Sequence, residues 1–511
     1  MAENNLEEVK MGMNNAEAIE LRNDRKHTLG LGTSGTDSRV GDNEIKKILL
    51  ANAKIPFGLK DKIGYAAGDF ANDLTFVIAA MFMMKFYTDI MGVSSAIVGL
   101  VMMVAKIVDA FTDVGMGQIV DRSHYTKKGK FAPWIMRFAG PVAVASFLIF
   151  APYFADKPMS FKIGWMFFTY ILWGSVCYTG ANIPYGSMAS AITSDPNERQ
   201  QLSTWRNIGA TIAQIIIAAV LPLVVYIKDA EGHQVLDGGR LMLAAGVCSV
   251  LAVLVYAVCY VLSTERVVIE NKEENKKNVG ELMRILFTSR SFLGIITSAL
   301  ILLLVQLTLS GMGNYVYPNY FNNTTFLAIG SLVNCLVVLA LAAVVGKLVE
   351  KFGKKEIAAA SSVFGAAMLF IMFAIHTKNP LVYFVLGAGG YVGIGIFGLV
   401  CWAMIIDVID DIDVKKNYRS DGTVYAVYSF ARKLGQAGAS GLTGLLLALA
   451  GYTTATSFDT VVVNNIYNLA TLVPAIGMVL LALSLLFFYP LSKKRVDKNA
   501  EILRKRRENQ R

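Results

Sequence analysis

Charge is scarce in this sequence. Only 17% of its 511 residues are Asp, Glu, Lys or Arg, where soluble domains carry about 25%. Cysteine is scarce as well. Cys177, Cys248, Cys259, Cys335 and Cys401 all fall inside apolar runs and form no CxxC pair, which argues against a disulfide framework or a zinc site. The four histidines (His27, His124, His233, His376) lie away from the centres of those runs, so a buried histidine relay is not expected. No GxxxxGK[ST] motif is present, which leaves ATP-driven transport unsupported. The opening stretch, MAENNLEEVK, is acidic with no apolar core behind it, so no signal peptide is expected.

Apolar residues fill the space that charge leaves. The chain is 54% hydrophobic with a mean hydropathy of +0.49, and uncharged runs long enough to span a bilayer recur along most of it. Spans are expected near 64–89, 94–120, 132–154, 163–192, 205–227 and 240–263. A second set of six is expected near 291–317, 325–346, 356–376, 380–409, 422–450 and 467–490. The expectation is an all-α integral membrane protein with twelve transmembrane helices in two pseudo-symmetric six-helix halves, 61–264 and 291–491. A charged cytoplasmic loop, 265–290, separates the halves. Residues 1–60 read as a disordered cytoplasmic tail with a short helix over Asn43–Lys54, and 492–511 as a basic cytoplasmic tail. The charged central loop and the Arg504–Arg507 stretch of the tail are expected to be solvated, with anionic lipid as the lesser reading.

The net charge of +10 does not point to nucleic acid, because Lys and Arg crowd into alternate loops and the C-terminus. The opposite loops hold only Lys157, Lys162, Lys228, Arg240 and Lys378. Under the positive-inside rule both termini are cytoplasmic, and the plasma membrane is the expected location.

The halves carry a repeat. Gly117, Asp121 and Arg122 precede Gly129-Lys130 after the second span, and Gly346 and Glu350 precede Gly353-Lys354-Lys355 after the eighth. The first glycine of each set is expected to let helices approach closely, and the charges to pair across the cytoplasmic face. Gly393-Ile-Gly395-Ile-Phe-Gly398 matches GxGxxG, yet it sits inside an apolar span with no strand before it, so close helix packing is expected there. Asn322-Asn323-Thr324-Thr325 contains glycosylation sequons on a short outer loop.

Ionisable residues inside spans are the informative ones, since a charge at a helix centre costs roughly 2.5–3.5 kcal/mol on insertion scales. Asp69 and Asp73 share a face of the first span, and Lys106, Asp109 and Asp113 share a face of the second. The fourth span offers Tyr178, Thr179 and Asn182, the fifth Arg206, and the eleventh Arg432 and Lys433. Helix-end charge or a packing ion pair is the bland alternative, strongest for Asp69. Two carboxylates one turn apart beside a hydroxyl suit a hard cation or a proton. Amide, carboxylate and cationic donors suit a polyhydroxylated solute, with Trp173, Tyr178, Tyr185 and Trp402 available to stack on it.

The runs GYAAGDFANDLTF, KFYTDIMGV and AKIVDAFTDVGMGQIVDRS with GKFAPWI closely resemble the glycoside–pentoside–hexuronide:cation symporters of the major facilitator superfamily. NIPYGSM, ERQQLSTWR, DVIDDIDVKKNYRSDGTVYAVYSFARKLG and GKLVEKFGKK fit the same family. The resemblance implies a sugar symporter in which Asp109, Asp113 and Thr179 hold the coupling cation, Na+ or H+. It implies that Asp73 binds sugar, with Tyr178, Asn182, Arg206 and Lys433 around it, and that Lys433 stands near both ligands. Asn182 replaces an aspartate found in the melibiose-transporting member, and Gly186 a stacking tryptophan, so a galactoside specificity is not carried over. No cofactor and no enzymatic activity are expected; the partners are a sugar, the cation and membrane lipids. The alternatives are a lysolipid or other amphiphile symporter, a transport-inactive sugar sensor, and a membrane-embedded transferase, for which no nucleophile–base pair is found.

Overall fold

The computed structural model describes residues 51–267, 279–417 and 421–508, apart from the side chains of 279–283, 335, 421, 422 and 507. Most of the N-terminal tail therefore lies outside the described residues, and so does most of the short helix expected over Asn43–Lys54. The helices are α1 (Leu59–Lys85), α2 (Ser95–Asp121), α3 (Ala132–Ile149), α4 (Met159–Ile171), α5 (Thr179–Ile192), α6 (Pro196–Val225) and α7 (Gly238–Leu262). After a short α8 (Val279–Thr288) come α9 (Arg290–Tyr315), α10 (Thr324–Phe352), α11 (Lys354–Ile375), α12 (Pro380–Lys416), α13 (Asp421–Leu449), α14 (Thr460–Leu483) and α15 (Lys493–Glu508).

Every expected span holds a helix. Among the described residues, ten helices are long and apolar enough to cross a membrane. The other two span positions are α4–α5, interrupted by the π-helical stretch Leu172–Tyr178, and α13, which carries Arg432 and Lys433. Both are places where the chain trades apolar regularity for polar groups.

Helix ends depart from the apolar runs for identifiable reasons. α6 begins at Pro196, ahead of the expected 205, because Asp195 caps it by accepting from the backbone N–H groups of Asn197 and Glu198. Such a cap holds polar first turns in helical form. α12 runs on to Lys416 because its polar end is bound on several sides: Lys354 Nζ donates to Asp407 at 2.7 Å, and Ser291 and Asn499 donate to buried Asp411. Asn499 lies on α15, so the tail forms a helix that docks on α12, while Arg504 and Lys505 within it stay exposed. The loop after α6 was not expected to contain strands. It forms a small antiparallel hairpin, β1 (Tyr226–Lys228) with β2 (Gln234–Leu236).

Membrane helices pack on one face and show lipid the other. On α7, Leu241, Ala245, Ala252 and Tyr256 are buried while Leu243, Val247, Val250 and Leu254 are exposed, at helical spacing along the same element. The halves meet where α2 crosses α13. A Cβ on Gly444 would sit 2.4 Å from the Ser95 carbonyl oxygen, and one on Gly99 would be 2.9 Å from Gly444 Cα, so only glycines permit this approach.

The repeat turns correct one expectation. A Cβ on Gly117 or Gly346 would meet nothing within 4 Å, so these two glycines do not mediate close helix packing. The shared feature is the later glycine, with φ of +115° at Gly129 and +100° at Gly353, the left-handed region that favours glycine. At these turns Lys130 Nζ donates to the Asp121 carbonyl, and Lys354 pairs with Asp407. Of the GxGxxG glycines, a Cβ on Gly393 would sit 2.5 Å from the Ser361 carbonyl oxygen, whereas one on Gly398 would meet nothing within 4 Å.

Candidate functional site between the two halves

The π-helical stretch Leu172–Tyr178 widens the fourth span just before Thr179. Such bulges shift the register of the side chains that follow, often at functional sites. Thr179 Oγ1 lies 3.1 Å from the Gly174 carbonyl, 2.8 Å from Asp113 Oδ1 and 3.2 Å from Asp109 Oδ1. Asp109 and Asp113, one turn apart on α2, thus share a hydroxyl from the neighbouring span. Lys106 Nζ is 3.6 Å from Asp109 Oδ2. From the other half, Lys433 on α13 pairs with Asp113 and lies 3.6 Å from Asp109. Two carboxylates and two ammonium groups therefore balance across the interface. The oxygens of Asp109, Asp113, Thr179 and Gly174 form a hard donor set suited to a small cation.

The other expected residues sit in a second layer on α1, α5 and α6. Asp73 accepts from Gln214 Nε2 at 3.0 Å, and Gln214 lines a cavity of about 310 Å³. Arg206 is held by Asp69, Nε to Oδ2 at 3.2 Å, and lies over the Tyr185 ring. Asn182 accepts from Asn72 at 3.3 Å, and Asn72 accepts from the Tyr256 hydroxyl at 2.6 Å. Tyr178 packs against Phe76 and Trp173. The structure thus gathers Asp109, Asp113, Thr179 and Lys433 into one cluster. The described contacts of Lys433 are with Asp109 and Asp113 rather than Asp73. Among the candidate stacking rings, Tyr185 is occupied by Tyr65 at 4.7 Å and Trp402 by Arg432; Trp173 lines a cavity.

Several polar residues escaped the sequence reading. Gln214, Gln306, Asn314 and Asn334 line the larger cavity, and Gln436 lines a smaller one of about 190 Å³. Single uncharged amides in apolar runs look ordinary; for Gln436, the three-residue spacing from Lys433 was the available signal.

A family model described as MFS/sugar transport protein matches residues 64–493. The chain belongs to this family. It is 29% identical to the glucuronide carrier protein homolog of Escherichia coli, over 85% of this chain and 93% of that one. It is also 29% identical to the isoprimeverose transporter of Lactiplantibacillus pentosus, covering 84% and 88%. The crystal structure of a D-xylose-proton symporter superposes with a TM-score of 0.58 at 14% identity, covering 84% and 97%, a likeness of fold. This MFS protein is a multi-pass membrane carrier, not an enzyme.

At the face opposite the α2–α3 turn, the carrier's halves are latched. Lys85, at the end of α1 and only 1% exposed, donates to Asn319 Oδ1 at 2.6 Å and to the Tyr452 hydroxyl at 2.9 Å. It pairs with Asp89 at 3.0 Å and lies 4.3 Å from the Tyr315 ring centre. Thr454 Oγ1 donates to the Thr88 carbonyl at 2.9 Å, and Asn314 Nδ2 to that of Met81 at 2.7 Å. Arg206, near the basic face, keeps a side chain 39% exposed. The carrier's halves are joined at the Lys85 end.

Proposed function

We propose that this protein is a secondary symporter that couples uptake of a sugar to entry of Na+ or H+ by alternating access. The observation that carries the reading is the Asp109–Asp113–Thr179 oxygen cluster, tied to Lys433 of the opposite half. A cation entering the cluster competes with Lys433 for Asp113, so occupancy on α2 is felt directly by α13. The sugar occupies the neighbouring amide-lined space, whose wall residue Gln214 is bonded to Asp73; Asp73, Tyr178, Asn182, Arg206 and Lys433, which lie beyond that wall, are its candidate partners. If each ligand favours the same arrangement of the halves, each raises the other's affinity by the same factor. Segments 61–264 and 291–491 are the two bodies that rock. The loops rich in Lys and Arg support cytoplasmic termini, an outward-facing Lys85 latch and a plasma-membrane location. The sugar-transport relatives support the substrate class, and the oxygen donors support the coupling.

The test is concentrative uptake in proteoliposomes across a panel of labelled sugars, under an imposed inward gradient of Na+ or of H+. Accumulation driven by one of these gradients is the expected result. Sugar binding without any gradient-driven accumulation would instead mark a sensor.

A further inference from the structure

The last turns of α12 stand over a basic pocket. At 37 residues the helix is about 55 Å long, against a hydrocarbon core of about 30 Å, so its end reaches headgroup level or beyond. There, on the face opposite the Lys85 latch, α12 and α15 enclose a cavity of about 470 Å³. Lys415 lines it from α12, and Lys494, Arg495 and Lys498 line it from α15. Against these four cations stands one carboxylate, that of buried Asp411. It is already saturated: Ser291, Asn499 and Lys415 donate to it, and Arg495 lies 3.5 Å away. Lys415 and Arg495 nonetheless keep side chains 41% exposed. Lys494 and Lys498 make no ion pair among the described residues. The other acids nearby are engaged elsewhere: Asp407 pairs with Lys354, Asp413 is 4.0 Å from Arg506, and Asp497 does not line the pocket. Three positive charges are thus left in excess in one concave space, where like charges repel. Ammonium and guanidinium groups only donate, so the complement is a ligand that only accepts and carries more than one negative charge.

We infer that this pocket binds a phosphate-bearing anion, which clamps α15 to α12. A phosphate monoester carries a charge of about −1.5 to −2 on three acceptor oxygens, and the Arg495 fork and the lysine ammonium groups are donors that suit it. Bound there, the anion is gripped by Lys415 of α12 and by three residues of α15, so it holds the two helices together. α12 also lines the larger central cavity, through Tyr383 and Tyr391, so the clamp restrains a helix of the transport path. A lipid headgroup and a soluble phosphate compound share this chemistry, and a pocket at the bilayer edge admits either.

Calorimetry on the purified full-length carrier in neutral detergent, with pyrophosphate and inorganic phosphate as probes, tests the soluble source. Native mass spectrometry after reconstitution with phosphatidylglycerol, counting the lipids retained, tests the headgroup. Both compare wild type with Lys494→Gln/Lys498→Gln and with a control on the same helix, Arg504→Gln/Lys505→Gln. Arg504 and Lys505 pair with Glu508 and Glu501 and do not line the pocket. The pocket variant should bind pyrophosphate roughly tenfold or more weakly, or retain one phosphatidylglycerol fewer, while the control matches wild type. The first result identifies a soluble anion and the second a lipid. Whichever probe binds should also slow amide hydrogen exchange over residues 493–503. No binding of any probe, equal losses in the two variants, or unchanged exchange in the bound state would overturn the inference.

Discussion

Replacing Lys85 by Met keeps most of the side-chain volume but removes the charge that joins α1 to the other half. The ammonium group makes three polar contacts, with Asn319, Tyr452 and Asp89, at 2.6–3.0 Å. Two of these partners belong to the opposite half, so their loss falls on the latched state alone. A hydrogen bond to a charged group is worth about 1.5–3 kcal/mol. Asp89 keeps 15% of its side chain exposed and can recover some hydration, so a net loss of about 2 kcal/mol is expected, roughly a thirtyfold shift in the equilibrium between closed and open outer faces. Spin labels at Glu231, in the loop after α6, and Thr325, in the first turn of α10, read this directly by double electron–electron resonance. Lys85→Met should add a longer-distance population. The double variant Lys85→Met/Asp89→Asn should open less than the single one, because it no longer strands a carboxylate. An unchanged distance distribution in Lys85→Met would refute the latch.

Three further outcomes follow from the same contacts. Asp113→Cys or Asp109→Cys should abolish cation-dependent accumulation while leaving membrane insertion intact, as measured by uptake against surface abundance. Asp73→Ala should weaken sugar binding roughly tenfold to hundredfold yet leave cation binding measurable by calorimetry, since the proposed cation oxygens come from α2 and the fourth span. Gly444→Val should force its Cβ towards the Ser95 carbonyl and destabilise the α2–α13 crossing by about 1–3 kcal/mol, visible as a lower melting temperature in detergent.

What could be read from the sequence depended on charge standing out against an apolar background. Asp109 and Asp113 were visible because two carboxylates one turn apart inside a span repel unless a cation sits between them. The fold was legible for the same reason in reverse, since long apolar runs announced each helix. Contacts made by uncharged groups were hidden. Nothing about Asn319 or Tyr452 marks them as partners of Lys85, from which they are 234 and 367 residues distant. The π-helical stretch before Thr179 has no sequence signature of its own. The pairing of Arg206 with Asp69 was equally open, because Asp69 and Asp73 present carboxylates on the same face of α1 and only the register of α6 decides between them. The docking of α15 also depended on a tertiary partner, buried Asp411, that a basic tail does not reveal.

The central claim is that cation and sugar sites are linked through the Asp113–Lys433 contact. Sugar affinity measured across a sodium titration, and separately across pH, tests it in wild-type protein and in Lys433→Ala. The account predicts that one of these cations tightens sugar binding in the wild type, that sugar tightens that cation's binding by the same factor, and that Lys433→Ala reduces this factor. A sugar affinity indifferent to both cations, or a wild-type ratio retained in Lys433→Ala, would contradict it.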